Sequence, residues 1–130
     1  MKYLVIFILL LSTNVIAKNP QQILKEDGFV FVTKESDKEI YYRPKEVKKY
    51  DGIVYYSTTI LKTSGANKYG LRSDYMALGC KEKLVLKTGI HNVPYIGNSS
   101  YTDLTKKGVK GTDFKPLSAL DKRMHAKLCK

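Results

Sequence analysis

The sequence predicts an α+β domain: an antiparallel sheet of about five or six strands packed on a C-terminal α-helix and carrying one disulfide. Three observations point there. Between Phe29 and Ile90 the apolar and β-branched residues recur every second position, the period of a strand. Past Phe114 the period lengthens to three or four residues, that of a helix. The chain holds only two cysteines, Cys80 near its middle and Cys129 at its end. Strands in succession followed by one helix make a segregated α+β architecture rather than alternating α/β units.

The first residues read as an export signal. Lys2 is followed by an unbroken apolar run from Tyr3 to Leu11 and then by Val15-Ile16-Ala17, the order of a basic region, a hydrophobic region and a small-residue cleavage site. The apolar run falls short of the roughly 20 residues a membrane-spanning helix requires. Residues 1–17 are therefore expected to be a signal peptide, and 18–130 a single exported domain, periplasmic or at the cell surface. Two cysteines in an exported chain fit one structural disulfide. The alternative, a metal or redox role, finds no CxxC neighbour and no adjacent histidine. Pairing would close a loop of about 50 residues, worth about 4 kcal/mol in the loop-entropy model.

The elements follow in order. Lys18–Asp27 is polar and reads as a leader or short helical turn. Gly28–Thr33 is a strand with Phe29, Phe31 and Thr33 on one side and Val30 and Val32 on the other. Lys34–Lys38 is a charged turn, and Glu39–Tyr42 is a second strand stopped by Pro44. Pro44–Asp51 is a connector whose Asp51-Gly52 pair signals a turn. Ile53–Leu61 is the clearest strand, with Val54, Tyr56, Thr58 and Ile60 as its more apolar face. After the Ser64–Gly70 loop, Leu71–Cys80 puts Arg72, Asp74, Met76, Leu78 and Cys80 on one face. Lys81–His91 reads as the next strand, with Leu84, Leu86, Thr88 and Ile90 inward and Lys81, Lys83, Val85 and Lys87 outward. Asn92–Thr105 is a loop with room for one irregular strand, and Lys106–Gly111 is a basic loop. In the tail, Leu117, Leu120, Met124 and Leu128 share a helical face, and Ser118 with Asp121 forms a capping box behind Pro116.

This order of elements, with its Tyr-Tyr strand, Asp-Gly turn, tyrosine-rich strand, Ser73/Tyr75/Cys80 strand and terminal Pro-x-Ser helix ending in Cys, resembles the surface-adhesin protein E family of small exported bacterial proteins. One spacing within the Ser73–Cys80 strand departs from the usual pattern. The resemblance covers about Phe29 to Cys129 and implies a sheet on a C-terminal helix with Cys80 bridged to Cys129. It also implies a non-enzymatic adhesin that binds host plasminogen or matrix proteins. The cysteine that anchors the founding adhesin to lipid has no counterpart here.

Charge bears on the partner. The chain carries 23 Lys+Arg against 12 Asp+Glu, a formal net charge of +11, and only Arg43, Arg72 and Arg123 are arginines. Arginine is the preferred donor for bidentate contacts to bases, so a lysine field argues against sequence-specific nucleic-acid reading and for an acidic protein, a polyanion or an envelope surface. Candidate binding residues form three clusters: Lys45, Lys48 and Lys49; Lys81, Lys83 and Lys87, expected to share one strand face; and Lys106, Lys107 and Lys110. Lys130 offers the ammonium and carboxylate that lysine-binding pockets recognise. Tyr95 and Tyr101 precede the third cluster and suit an interface anchor. An alternative with the same composition is a periplasmic inhibitor or immunity-type protein that blocks an acidic bacterial protein. A remote alternative, a small secreted ribonuclease, would need His91 and His125 at one phosphate. No cofactor is expected, and no His/Cys/carboxylate group has metal-ligand spacing.

Overall fold

Residues 19–130 are described by the computed structural model of the chain; the expected signal peptide, 1–17, lies outside them. A short helix, α1 (Pro20–Glu26), opens the described region, capped by the Asn19 side chain, which accepts the Gln22 N–H at 2.8 Å. There follow β1 (Val30–Glu35), β2 (Lys38–Tyr42), a 3-10 turn (Pro44–Glu46), β3 (Lys48–Tyr50), β4 (Ile53–Lys62), β5 (Leu71–Gly79), β6 (Leu84–Val93) and β7 (Ser100–Asp103). A second 3-10 turn (Gly111–Asp113), the two-residue β8 (Lys115–Pro116) and α2 (Ala119–Leu128) complete the chain.

The sheet is antiparallel throughout, in the order β1-β2-β4-β5-β6-β7, with β3 pairing onto β4 and β8 onto β6. The two short strands are pieces the sequence leaves unresolved: β3 falls inside the expected connector, and β8 contains Pro116, which limits pairing at that edge. The charged turn expected over Lys34–Lys38 is tighter, since β1 runs to Glu35 and β2 starts at Lys38. A bulge between Phe31 and Thr33 interrupts β1.

Direct cross-strand partners share a face, which gives the sheet two distinct sides. One side carries Val54 and Tyr56 of β4, Met76 and Leu78 of β5 and Val85 of β6; α2 packs there through Met124 and Leu128 to make the main core. Ser118 caps that helix as its sequence announces, accepting the Asp121 N–H while Asp121 accepts the Ser118 N–H at 3.0 Å. Leu24, Tyr41 and Leu61 form a second cluster with Phe29, Tyr69 and Leu71. This is the opposite side, because Tyr41 pairs with Thr59, and Leu61 with Leu71.

The inward and outward sets expected for β6 are reversed at its start. Leu84 replaces Lys81 as the first strand residue, Val85 is buried in the main core, and a bulge between the Tyr75 and Met76 pairings inserts Thr88 as an extra residue. A strand with a bulge changes face partway, so period-two counting from one end assigns half its side chains to the wrong side.

Candidate functional site

Three places gather the residues that the sequence singles out. The first is the disulfide end of the sheet. β5 ends at Gly79 and α2 ends at Leu128, which brings the next residue of each, Cys80 and Cys129, to a Cα–Cα distance of 5.6 Å, where they are bonded. His125, one turn before Cys129, lies 2.9 Å from the Cys80 carbonyl through Nε2, which donates to it. A covalent bond and a hydrogen bond therefore tie the last turn of α2 to one point of the sheet. The helical period leaves His125 off the Leu117/Leu120/Met124/Leu128 face and so predicts an outward side chain, which the bond to Cys80 corrects. The signal that could have revealed it is the i, i+4 spacing of His125 and Cys129.

A groove of about 250 Å³ opens beside this clasp, lined by Lys49, Ile53, Val54, Leu128 and Lys130 around the two cysteines. Lys48 and Lys49 reach this end on β3, which pairs with Ile53–Tyr55 at the start of β4. Lys81 and Lys83 are exposed on the turn between β5 and β6, where Lys83 takes a φ of 56° and donates its N–H to the Gly79 carbonyl at 2.9 Å. The expectation that Lys81, Lys83 and Lys87 share a strand face is thus corrected: two sit in a turn, and Lys87 lies on the strand. Lys87 is 3.2 Å from Asp74, whose carboxylate also receives Arg72 Nε at 2.7 Å. Asp74 is buried, so this pairing holds Lys87 in the network.

The ion pairs divide the molecule. Lys38–Glu35 and Lys62–Asp37 lie at the far end of the sheet, and Arg43–Glu46 and the Asp74 network lie between. Among the described residues, Lys48, Lys49, Lys81, Lys83 and Lys130 take part in no ion pair. Lys38 and Lys62 at the far end are matched by carboxylates, whereas the lysines around the clasp are not.

The second place is a groove of about 400 Å³ beside Leu86 of β6, covered by the β7–β8 connection with Leu104, Val109, Lys107 and Lys110. Asp113 also lines it, its carboxylate accepting the Lys110 N–H at 2.7 Å. Lys106 is exposed on the same connection. Just before it, Asp103 accepts the Thr105 N–H at 2.8 Å and the Thr105 hydroxyl at 2.7 Å. These bonds, the hydroxyl's first, hold the exposed Asp103 carboxyl below the usual carboxylate range.

The third place is the pair of tyrosines. Tyr95 packs edge-on against Tyr69, with centroids 5.9 Å apart, and Tyr101 against Tyr75 at 6.0 Å. Tyr101 lies over Gly89, where an added Cβ would stand 2.6 Å from its hydroxyl oxygen. Tyr101 is thus held against the sheet and Tyr95 against the loop before β5, and both remain exposed.

His91 and His125 are not brought together. His91 is directly opposite Ser73 and Tyr101, on the side facing away from α2, so the sheet separates it from His125. Among the described residues no group of three or more His, Cys, Asp or Glu side chains could hold a metal ion. No helix among them is long and apolar enough to cross a membrane. Comparison of the chain with protein-family models, curated proteins and solved structures finds no match.

Proposed function

We propose that the chain is an exported, non-catalytic binding protein that engages an acidic protein partner through the lysine surface at its disulfide end. The observation that carries this reading is the collection of unpaired lysines from β3, the β5–β6 turn and the chain end around one covalent clasp. The clasp supports export as well, since structural disulfides persist in oxidising compartments. Because the lysines stand on elements joined by the sheet ladder and the disulfide, their spacing is fixed before binding, which lowers the ordering cost of recognition. Exposed lysines attract at long range and are screened by salt, so association should quicken at low ionic strength.

The adhesin and inhibitor readings are two identities for that partner: host plasminogen or a matrix protein in one case, an acidic bacterial protein in the other. Immobilised plasminogen, vitronectin and laminin, with periplasmic extract in parallel, test both against the unaltered chain and a Lys48→Glu/Lys49→Glu/Lys81→Glu/Lys83→Glu variant. Retention that falls at least tenfold in the variant and weakens with salt supports the proposal. Equal retention of the two proteins overturns it. Protease accessibility on intact cells then assigns the partner's side of the envelope, a shielded protein counting against host binding.

A further inference from the structure

A different surface, on the side of the sheet away from α2, has a chemistry that the disulfide end lacks. Of the eleven large apolar side chains left exposed among the described residues, six fall between Val93 and Val109: Val93, Tyr95, Ile96, Tyr101, Leu104 and Val109. They follow the length of β6. Tyr95 stands on Tyr69 near its end, Tyr101 on Tyr75 over Gly89 in its middle, and Leu104 and Val109 beside Leu86 near its start. From Leu86 to Val93 the strand rises roughly 20 Å, so the strip is long and narrow. Lys106, Lys107 and Lys110 flank its lower part without ion pairs among the described residues. Asp103 and Asp113 lie among these lysines, hydrogen-bonded by Thr105 and by the Lys110 N–H, and offset only part of their positive charge.

We propose that this strip docks the protein onto an anionic lipid bilayer, with Ile96 and Tyr95 entering the interface and Lys106, Lys107 and Lys110 meeting the headgroups. Charge complementarity selects the sign of the surface. The form of the apolar groups selects a bilayer over an acidic protein. Ile96 is 86% exposed and Tyr95 69%, projecting at the bend after Pro94 rather than lining a recess. A projecting aliphatic tip beside a tyrosine held by its ring neighbour suits the headgroup–acyl boundary, where tyrosine is enriched and cations flank buried apolar groups. Mating with a protein would require the partner to supply a socket for each of these two side chains. This surface is separate from the lysines at the disulfide end, so the proposal stands or falls independently of the partner proposed there.

The chain contains no tryptophan, so a single introduced indole reports its own surroundings. The chain from Lys18 onward, which contains every described element, is prepared with Ile96→Trp and, separately, Ile23→Trp on α1, each mixed with vesicles of equimolar phosphatidylglycerol and phosphatidylcholine and with phosphatidylcholine alone. The expected result is a blue shift and quenching by brominated lipid for Trp at 96, only on the anionic vesicles, with no change for Trp at 23. Lys106→Gln/Lys107→Gln/Lys110→Gln should lower vesicle partition by on the order of a hundredfold. Three results each overturn the proposal: no partition to anionic vesicles, an equal shift at positions 23 and 96, or salt-sensitive adsorption without any shift at 96.

Discussion

Replacing both clasp residues, Cys80→Ser with Cys129→Ser, tests what the disulfide contributes to this fold. The cysteines are 49 positions apart. In the loop-entropy relation a closed loop of about 50 residues removes about 14 cal/mol/K from the unfolded ensemble, or about 4 kcal/mol at room temperature. The native side adds little to that loss, since the serines keep the space and His125 can still donate to the carbonyl at position 80. A domain of this size has on the order of 5–15 kcal/mol of stability in total, so the double variant should lose a large share of it. At roughly 4 °C per kcal/mol, the melting temperature should fall by about 15 °C. Urea unfolding of the oxidised protein and the double variant at neutral pH measures the difference directly, and changing both cysteines avoids an unpaired thiol. A loss below about 1 kcal/mol would refute the reasoning, because the helix would then be held by packing and the clasp would be incidental.

Further outcomes follow from the core and its tyrosines. Met124 is fully buried between α2 and the sheet, and Met124→Ala should cost about 3 kcal/mol in the same urea assay, through lost contacts and a residual cavity. Tyr56 is buried in that core with its hydroxyl unpartnered, so Tyr56→Phe should be neutral or stabilise by up to about 1 kcal/mol. Burial, and then the nearby Asp121 carboxylate, push the Tyr56 phenol well above its ordinary range, while burial and the bond to Glu39 push Tyr41 up to about 12. Both are raised in the folded state, so the unfolded chain gives up these protons first. Stability should hold below about pH 10, the ordinary tyrosine value, and fall as pH rises from there toward the folded values. Thermal melts between pH 9 and 12 check the sign, and Tyr56→Phe should flatten the slope.

Fold class was legible because its two signals are local. The change of period at Phe114 and the Ser118/Asp121 capping box locate α2 without tertiary information, and the Val54/Tyr56 alternation fixes the side of β4 that faces it. What escaped depends on contacts between distant segments. The bulge at Thr88 is set by pairing with Tyr75 and Met76, so the sides of Val85 and Lys87 could not be counted from β6 alone. β3 is three exposed residues whose only claim to be a strand is the ladder with β4. Candidate residues fared according to the same rule. Lys81 and Lys83 were recognisable as exposed, and so were Tyr95 and Tyr101, but the supports of the two tyrosines, Tyr69 and Tyr75, lie on β5 and the loop before it. Lys87 looked like the others because nothing in the local sequence shows that Asp74, 13 residues earlier, is buried beside it.

The distribution of charge gives the clasp a second consequence. Lys48, Lys49, Lys81, Lys83 and Lys130 come from three separated stretches of chain, and folding gathers them at one end with no carboxylate paired to them among the described residues. Their mutual repulsion opposes docking of the last turn of α2. In the disulfide-bonded chain, Lys81, Lys83 and Lys130 stay close even when unfolded, so much of that repulsion is present in both states and cancels. In the double serine variant the unfolded chain lets them separate, and the whole repulsion counts against folding. The stability lost on removing the disulfide should therefore be larger at low salt than at high salt. Sodium chloride spans the useful range, because the screening length falls from about 30 Å at 0.01 M to about 3 Å at 1 M. Urea midpoints of the oxidised protein and the double variant across that range should converge as salt rises, by on the order of 1 kcal/mol. Parallel salt responses would show that the lysines at the clasp do not repel one another appreciably, and that only loop entropy connects the disulfide to stability.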